Sequence, residues 1–278
     1  MIINIFVAND YNNPKRVGLN SRRRMKKYIG LIILLLPPLI GTKAQQHIDF
    51  NMFNGSGELR SIYVQRHRFN EKYTLNLDFG SYLGLGSNIW TRWGFRGNIT
   101  RTISDFYRVD LGFMYNRVHY YDDILKDDIT EEVDVTRHEY RPHQTLTISY
   151  PRLKSSAIQH RFRLEERIFT TVHNDTPDFK MRLRYRILHQ GRFDSQPIAP
   201  KSLFYRASAE FNFNIYEESD DTFWVRGRYC LGMGYMFSSK LSADVNYYFE
   251  HNNVNRATEQ VLTHIFQVTL RQTIFWNN

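Results

Sequence analysis

The stretch LSADVNYYFE, residues 241–250, decides the fold. Leu241, Ala243, Val245, Tyr247 and Phe249 alternate with Ser242, Asp244, Asn246, Tyr248 and Glu250. Successive side chains of a β-strand point to opposite faces, so this is a strand with one apolar and one largely polar face. Strands of about 9–11 residues with apolar-out, polar-in alternation are what a transmembrane β-barrel requires.

The same two-faced pattern recurs on either side of this stretch. Alternation and turn residues predict strands over His47–Phe53, Glu58–Arg68, Lys72–Tyr82, Thr91–Thr102, Phe106–His119 and His138–Tyr150. They continue over Ala157–Thr170, Asp178–Gln190, Ser202–Ile215, Thr222–Phe237, Leu241–Glu250 and Gln260–Trp276. The links supply an independent check, because bacterial barrels have even strand numbers, short periplasmic turns and longer outer loops. Phe69–Glu71, Ile103–Asp105 and Ser238–Lys240 are short and fall on one side. The acidic segment Tyr120–Arg137 falls on the other as an outer loop, with Tyr216–Asp221 and His251–Glu259. Gly191–Lys201 is long for its side. The expected fold is all-β: a transmembrane antiparallel up-and-down β-barrel of about twelve strands, with both ends of the chain in the periplasm.

Composition agrees with that class. Mean hydropathy is −0.51 and charged residues make up 23%, which argues against helical membrane spans. Tyr and Phe number 18 and 20 while Pro numbers 8, a balance that favours strands. The single cysteine, Cys230, can form no internal disulfide and reads as a small packed apolar group.

The net charge of +9 does not signal nucleic-acid binding. Residues Met1–Ala44 hold eight basic residues against Asp10, a net +7, which leaves +2 for the remainder. Lys26 and Lys27 precede an apolar run over Tyr28–Ile40, and Thr42, Lys43 and Ala44 follow. This is the n-region, h-region and cleavage site of a secretory signal. The run is too short to span a bilayer as a helix and contains Pro37 and Pro38. The expected organisation is an upstream extension over residues 1–24, a signal peptide over 25–44 cleaved after Ala44, and a barrel domain over 45–278.

Strand parity sorts the remaining side chains. One face carries Tyr73, Leu75, Leu77 and Phe79 on one strand, Val109, Leu111, Phe113 and Tyr115 on another, and Phe266, Val268 and Leu270 near the end. The other face collects Arg96, Arg108, Arg161, Arg163, Arg167, Arg182, Arg184, Arg186, Arg206, Arg226, Arg228 and Arg271. Asp78, Asp110, Glu165, Glu210, Asp244 and Glu250 share that face. The planar guanidinium pairs bidentately with carboxylates and keeps its charge, so a paired lumen network is expected. Its candidate members are Arg163, Glu165, Arg167, Arg182, Arg184, Arg186, Glu210, Arg226, Arg228 and Arg271. Such a network fills and stiffens the barrel, lines a narrow anion-preferring pore, or captures a ligand. Alternation alone leaves open which face is inside, because a soluble barrel or sandwich would bury the aromatics instead.

Several of these residues stand in a characteristic order. Arg161, Arg163, Leu164, Glu165, Glu166 and Arg167 come one strand before Arg182, Leu183, Arg184 and Tyr185. Glu210, Phe211 and Asn212 follow, then Arg226, Arg228, Gly232, Gly234 and Tyr235, and finally the aromatic strand ending at Trp276. In this order the chain resembles the family carried as domain of unknown function 2490, exported proteins expected to form outer-membrane barrels. The resemblance implies that fold and the cell outer membrane as compartment; it implies no activity.

Catalytic signals are sparse. A lipid hydrolase of the outer membrane needs a Ser and a His near the outer rim on the lipid face. His264 has the height and parity, but no Ser stands beside it on the neighbouring strand, and His160 lies at the periplasmic end. The carboxylates Asp122, Asp123, Asp127, Asp128, Glu131, Glu132 and Asp134 lack the Gly turn of a calcium loop. There is no zinc-ligand pattern, phosphate loop or nucleic-acid motif, so no cofactor or metal is expected. The expected partner is membrane lipid. The functional expectation is a narrow channel or structural barrel, with a lipid-modifying hydrolase second and a soluble periplasmic β-protein third.

Overall fold

The computed structural model describes residues 56–276, apart from the links 86–89, 127–128, 151–155, 172–173, 195, 217–223 and 255–258. The export segment and the predicted strand His47–Phe53 lie outside the described residues.

The described chain forms eleven strands: β1 (Ser56–Arg68), β2 (Tyr73–Leu85), β3 (Trp90–Thr102), β4 (Tyr107–Lys126), β5 (Ile129–Ser149), β6 (Ser156–Thr171), β7 (Asn174–Gly191), β8 (Ser202–Tyr216), β9 (Trp224–Ser238), β10 (Leu241–Val254) and β11 (Glu259–Phe275). They close into one barrel in chain order. Consecutive strands pair antiparallel, and β1 pairs with β11 in parallel from Ser56↔Thr263 to Arg68↔Phe275. An up-and-down chain with an odd strand count has its first and last strands running the same way, so it can close only through a parallel pair. The expectation was about twelve strands, and the first of them, His47–Phe53, lies outside the described residues. Among the described residues, β1 enters at the rim opposite to the one where β11 ends. Evenness is a habit of bacterial barrels rather than a geometric requirement.

The short links form the lower rim. Between β1 and β2, the Asn70 side-chain oxygen accepts from the amides of Lys72 and Tyr73 at 2.9 and 2.8 Å. Between β3 and β4, Ser104 Oγ accepts from Phe106 and Tyr107 at 3.3 Å. These side chains mimic a backbone turn and satisfy donors that the ladder cannot reach. The acidic segment read as a loop is corrected: β4 runs on to Lys126 and pairs with β5 down from Lys126↔Ile129. The antiparallel register set lower in this hairpin is carried on through Tyr120↔Val135 and Asp122↔Val133, where β-branched and aromatic residues keep the alternation.

Pro142 sits inside β5, a position that normally excludes proline because it cannot donate to the ladder. The β5–β6 pairing breaks there, between Tyr140↔Ile168 and His143↔Glu165.

The burial pattern is inverted relative to a soluble protein. Leu231, Met233 and Val245 are 68, 57 and 57% exposed within their strands, and Leu111, toward the lower end of β4, is 67% exposed. Glu58, Glu139, Arg163, Glu165, Arg182, Glu210, Asp244 and Glu250 are buried. Closing the sheet has put the polar parity inside and the apolar parity outside. Exposed aromatics cluster toward the strand ends, among them Phe106 and Tyr107 at the lower rim with Trp276, and Tyr121 and Tyr216 at the upper. Close packing of the interior requires glycine at two points on β9. A Cβ on Gly232 would stand 2.1 Å from Asn246 Oδ1, and one on Gly234 would stand 2.3 Å from the Phe204 ring.

Candidate functional site

Alternate residues of β5 to β10 project a belt of arginines and glutamates into the barrel. Glu165 on β6 anchors it. Arg182 on β7 donates to Glu165 through Nε at 3.0 Å and Nη2 at 2.6 Å. Arg184, two residues along the same strand, donates through Nη1 at 2.7 Å. Arg141 Nη1 lies 3.6 Å away and Arg163 Nη1 4.0 Å. Glu165 is 0% exposed, so four guanidinium groups and the barrel wall enclose this carboxylate completely.

The belt propagates because each guanidinium is a fork that can serve two acids. Arg184 Nη2 reaches Glu210 on β8 at 2.5 Å, and Arg161 Nη2 reaches the same carboxylate at 2.6 Å. Arg228 on β9 stands 3.9 Å from Glu210 and donates through Nε to Glu250 on β10 at 2.5 Å. Arg226 reaches Glu250 at 3.1 Å. In the other direction Arg141 bridges from Glu165 to Glu139, which also accepts from Arg167 Nε at 2.6 Å. An unbroken chain thus runs Glu139–Arg141–Glu165–Arg184–Glu210–Arg228–Glu250. Across the barrel, Glu58 holds Arg60 at 2.6 Å and Arg92 at 3.1 Å, and Asp78 holds Arg96.

Burying a charge costs several kcal/mol unless a partner with good geometry compensates it. The spacing meets that demand: alternate residues on one strand, such as Arg182 and Arg184, share a face and converge on one acid. Neighbouring arginines repel, so the acids are required to keep so many cations together.

All ten sequence candidates face the interior, and eight join the belt. Arg163 bonds Thr145 Oγ1 at 2.9 Å beside Glu165. Arg186 and Arg271 lie nearer the lower rim, where Arg271 meets Asp244. Sequence reasoning missed Glu58, Arg60, Arg92, Glu139 and Arg141. The signal was present in Glu58-x-Arg60 and Glu139-x-Arg141, the same alternate-residue spacing as in β6, but both stand at the edges of the predicted strands.

Three histidines of the outer face are held by tyrosines. His264 Nδ1 meets Tyr247 OH at 2.7 Å, His160 Nδ1 meets Tyr185 OH at 2.7 Å, and His138 Nδ1 meets Tyr115 OH at 2.8 Å. These are repeated cross-strand packing pairs, and the hydrolase reading gains no serine from them. Cys230 is buried on the inner face, 3.9 Å from Asn246 Oδ1. Among the described residues there is no group of three or more His, Cys, Asp or Glu placed to hold a metal ion.

Fold and interior together define a closed all-β barrel with an ion-paired inside and an apolar outside. The chain belongs to the family described as "Protein of unknown function (DUF2490)", which matches residues 61–261, from within β1 into the start of β11. No curated protein matches the chain.

Proposed function

We propose that this protein is an exported outer-membrane barrel whose Arg-rich lumen is closed by the ionic belt, so that it acts as a structural barrel rather than an open pore. Strands of 13 to 21 residues with exposed leucines and valines within them support insertion in a bilayer. The observation that carries the occluded reading is the complete enclosure of Glu165 at the level of the belt. A water-filled passage beside that carboxylate would leave it accessible. The signal over residues 25–44 would deliver the chain to the periplasm, and N-terminal sequencing of the exported protein should begin at Gln45.

The test is conductance in a planar bilayer. The inserted barrel should show heat-modifiable migration on a gel and no steady current steps. Reproducible anion-preferring steps, reduced by Arg184→Gln or Arg228→Gln, would overturn occlusion and establish a narrow channel instead. Failure to enter bilayers at all would overturn the membrane assignment.

A further inference from the structure

The outer face of the barrel carries a carboxyl group inside its apolar band. Glu166 on β6 faces outward, with Phe162 and Leu164 below it and Ile168 above it on the same face. Across the ladder it meets Met181 of β7. Gln144 on β5 also faces outward, exposed between the buried His143 and Thr145, and its cross-strand neighbours are Leu111 and Leu164. The two polar side chains meet at 3.5 Å, Gln144 Nε2 to Glu166 Oε1. Among the described residues Glu166 makes no ion pair. Asp134, the other outward carboxylate whose side chain is described, stands near the upper rim and is held by His119 at 2.9 Å.

The sheet is open at the same place. The β5–β6 ladder skips Arg141 and Pro142, and the register on either side would set Pro142 opposite Glu166. Backbone groups there lack the partner across the ladder, and Pro142 has no amide to give. Next to the pair, the outer face is recessed into a groove of about 660 Å³ that Gln144 itself lines, together with Val109, Leu111, Leu146, Phe162 and Leu164.

Hydrocarbon satisfies neither a carboxyl group nor an unpaired stretch of backbone, so an ionisable residue at membrane depth calls for a partner. We propose that this face of β5 and β6 is the contact between two copies of the barrel lying side by side in the bilayer. Gln144 and Glu166 set a donor beside an acceptor. A second copy turned by a two-fold rotation brings its acceptor to this donor and its donor to this acceptor, which is the self-complementarity that an isologous interface requires. Gln144 donates to Glu166 of the partner subunit, and Glu166 accepts from the partner's Gln144. The groove beside them gives apolar side chains a recess to enter. A lipid chain would fill that groove but brings no donor. Hydrogen bonds of this kind join membrane-spanning elements where no hydrophobic effect acts between them. The inference rests on the outer-membrane reading above.

The experiment is energy transfer between donor-labelled and acceptor-labelled copies of the protein refolded into phosphatidylcholine vesicles, with insertion checked separately by heat-modifiable migration. Transfer should rise with the protein-to-lipid ratio and saturate at a dimer. Pairing should be at least about tenfold weaker in the double variant Gln144→Leu, Glu166→Leu, which keeps an apolar outer face and removes both polar groups. Val245→Leu, on the outer face of β10, should leave it unchanged. If the double variant fails to fold, Gln144→Leu alone decides. An inserted parent that stays monomeric means that lipid covers this face, and overturns the proposal while leaving the membrane reading intact. Equal pairing in parent and variant would also overturn it. Failure of the parent to insert would overturn the membrane reading, and the proposal with it.

Discussion

Arg184 donates to Glu165 at 2.7 Å and, with its other terminal nitrogen, to Glu210 at 2.5 Å. One side chain on β7 thus ties together the strands on either side of it, β6 and β8. The hydrogen bonds of the sheet join each strand to its immediate neighbours; this guanidinium adds a second, side-chain layer of joining inside the closed wall.

Glu165→Gln should be strongly destabilising. It keeps the shape but removes the charge that holds Arg182 and Arg184 in a buried place, and breaking such a pair costs about 3–5 kcal/mol. The neighbouring Glu166 faces outward, with a contact of 3.5 Å to Gln144, so Glu166→Gln should not destabilise by more than about 0.5 kcal/mol. Unfolding midpoints in urea for the two variants check this. Equal effects would show that the belt contributes nothing special.

Leu231→Arg discriminates bilayer from water. Leu231 is 68% exposed on the outer face of β9. In a bilayer an outward arginine near the midplane costs about 2–4 kcal/mol, whereas at an exposed site in water the change stays within about 0.5 kcal/mol. Folding equilibria in phospholipid vesicles give the answer, and an unchanged stability would count against membrane insertion.

Gly232→Ala should perturb the interior and Gly97→Ala should not. The added methyl at 232 would meet Asn246 Oδ1 at 2.1 Å and the Val245 carbonyl at 2.9 Å, where overpacking costs about 1–3 kcal/mol. At 97, which faces outward, the nearest atom is Leu77 Cδ2 at 3.4 Å, an ordinary contact. Comparing the thermal unfolding of both variants with the parent tests the inward placement of β9.

Cys230 should be shielded from maleimide in the folded barrel and react freely once unfolded. At 3% exposure, labelling requires the β8–β9–β10 wall to open, so the folded rate should fall by about a hundredfold or more. Rapid labelling of the folded protein would mean that this wall opens readily.

Eleven of the predicted strands coincide with observed ones to within a few residues, except at β4, β5 and the top of β7. Alternation is a local property: each strand carries its own record of two environments, and short links such as Phe69–Lys72 carry their own turn chemistry. The β4–β5 hairpin was misread because Asp122, Asp123, Glu131 and Glu132 look like a solvated loop. Its extension depends on register inherited from residues below it. Pro142 is tolerated in β5 because the β5–β6 ladder skips Arg141 and Pro142, which no single strand records.

The sequence by itself determined the class of fold, the strand positions and the residues that share a face, because side-chain parity follows from backbone geometry within each strand. Only the tertiary structure decided which face is inside, that the described strands number eleven, and which arginine meets which acid. Closure requires β1 and β11, almost the whole described chain apart, to pair in parallel. The tilt of a closed barrel then brings Glu165, Arg184 and Glu210 to one level. Those are relations between strands distant from one another in the closed sheet, and a one-dimensional pattern does not contain them.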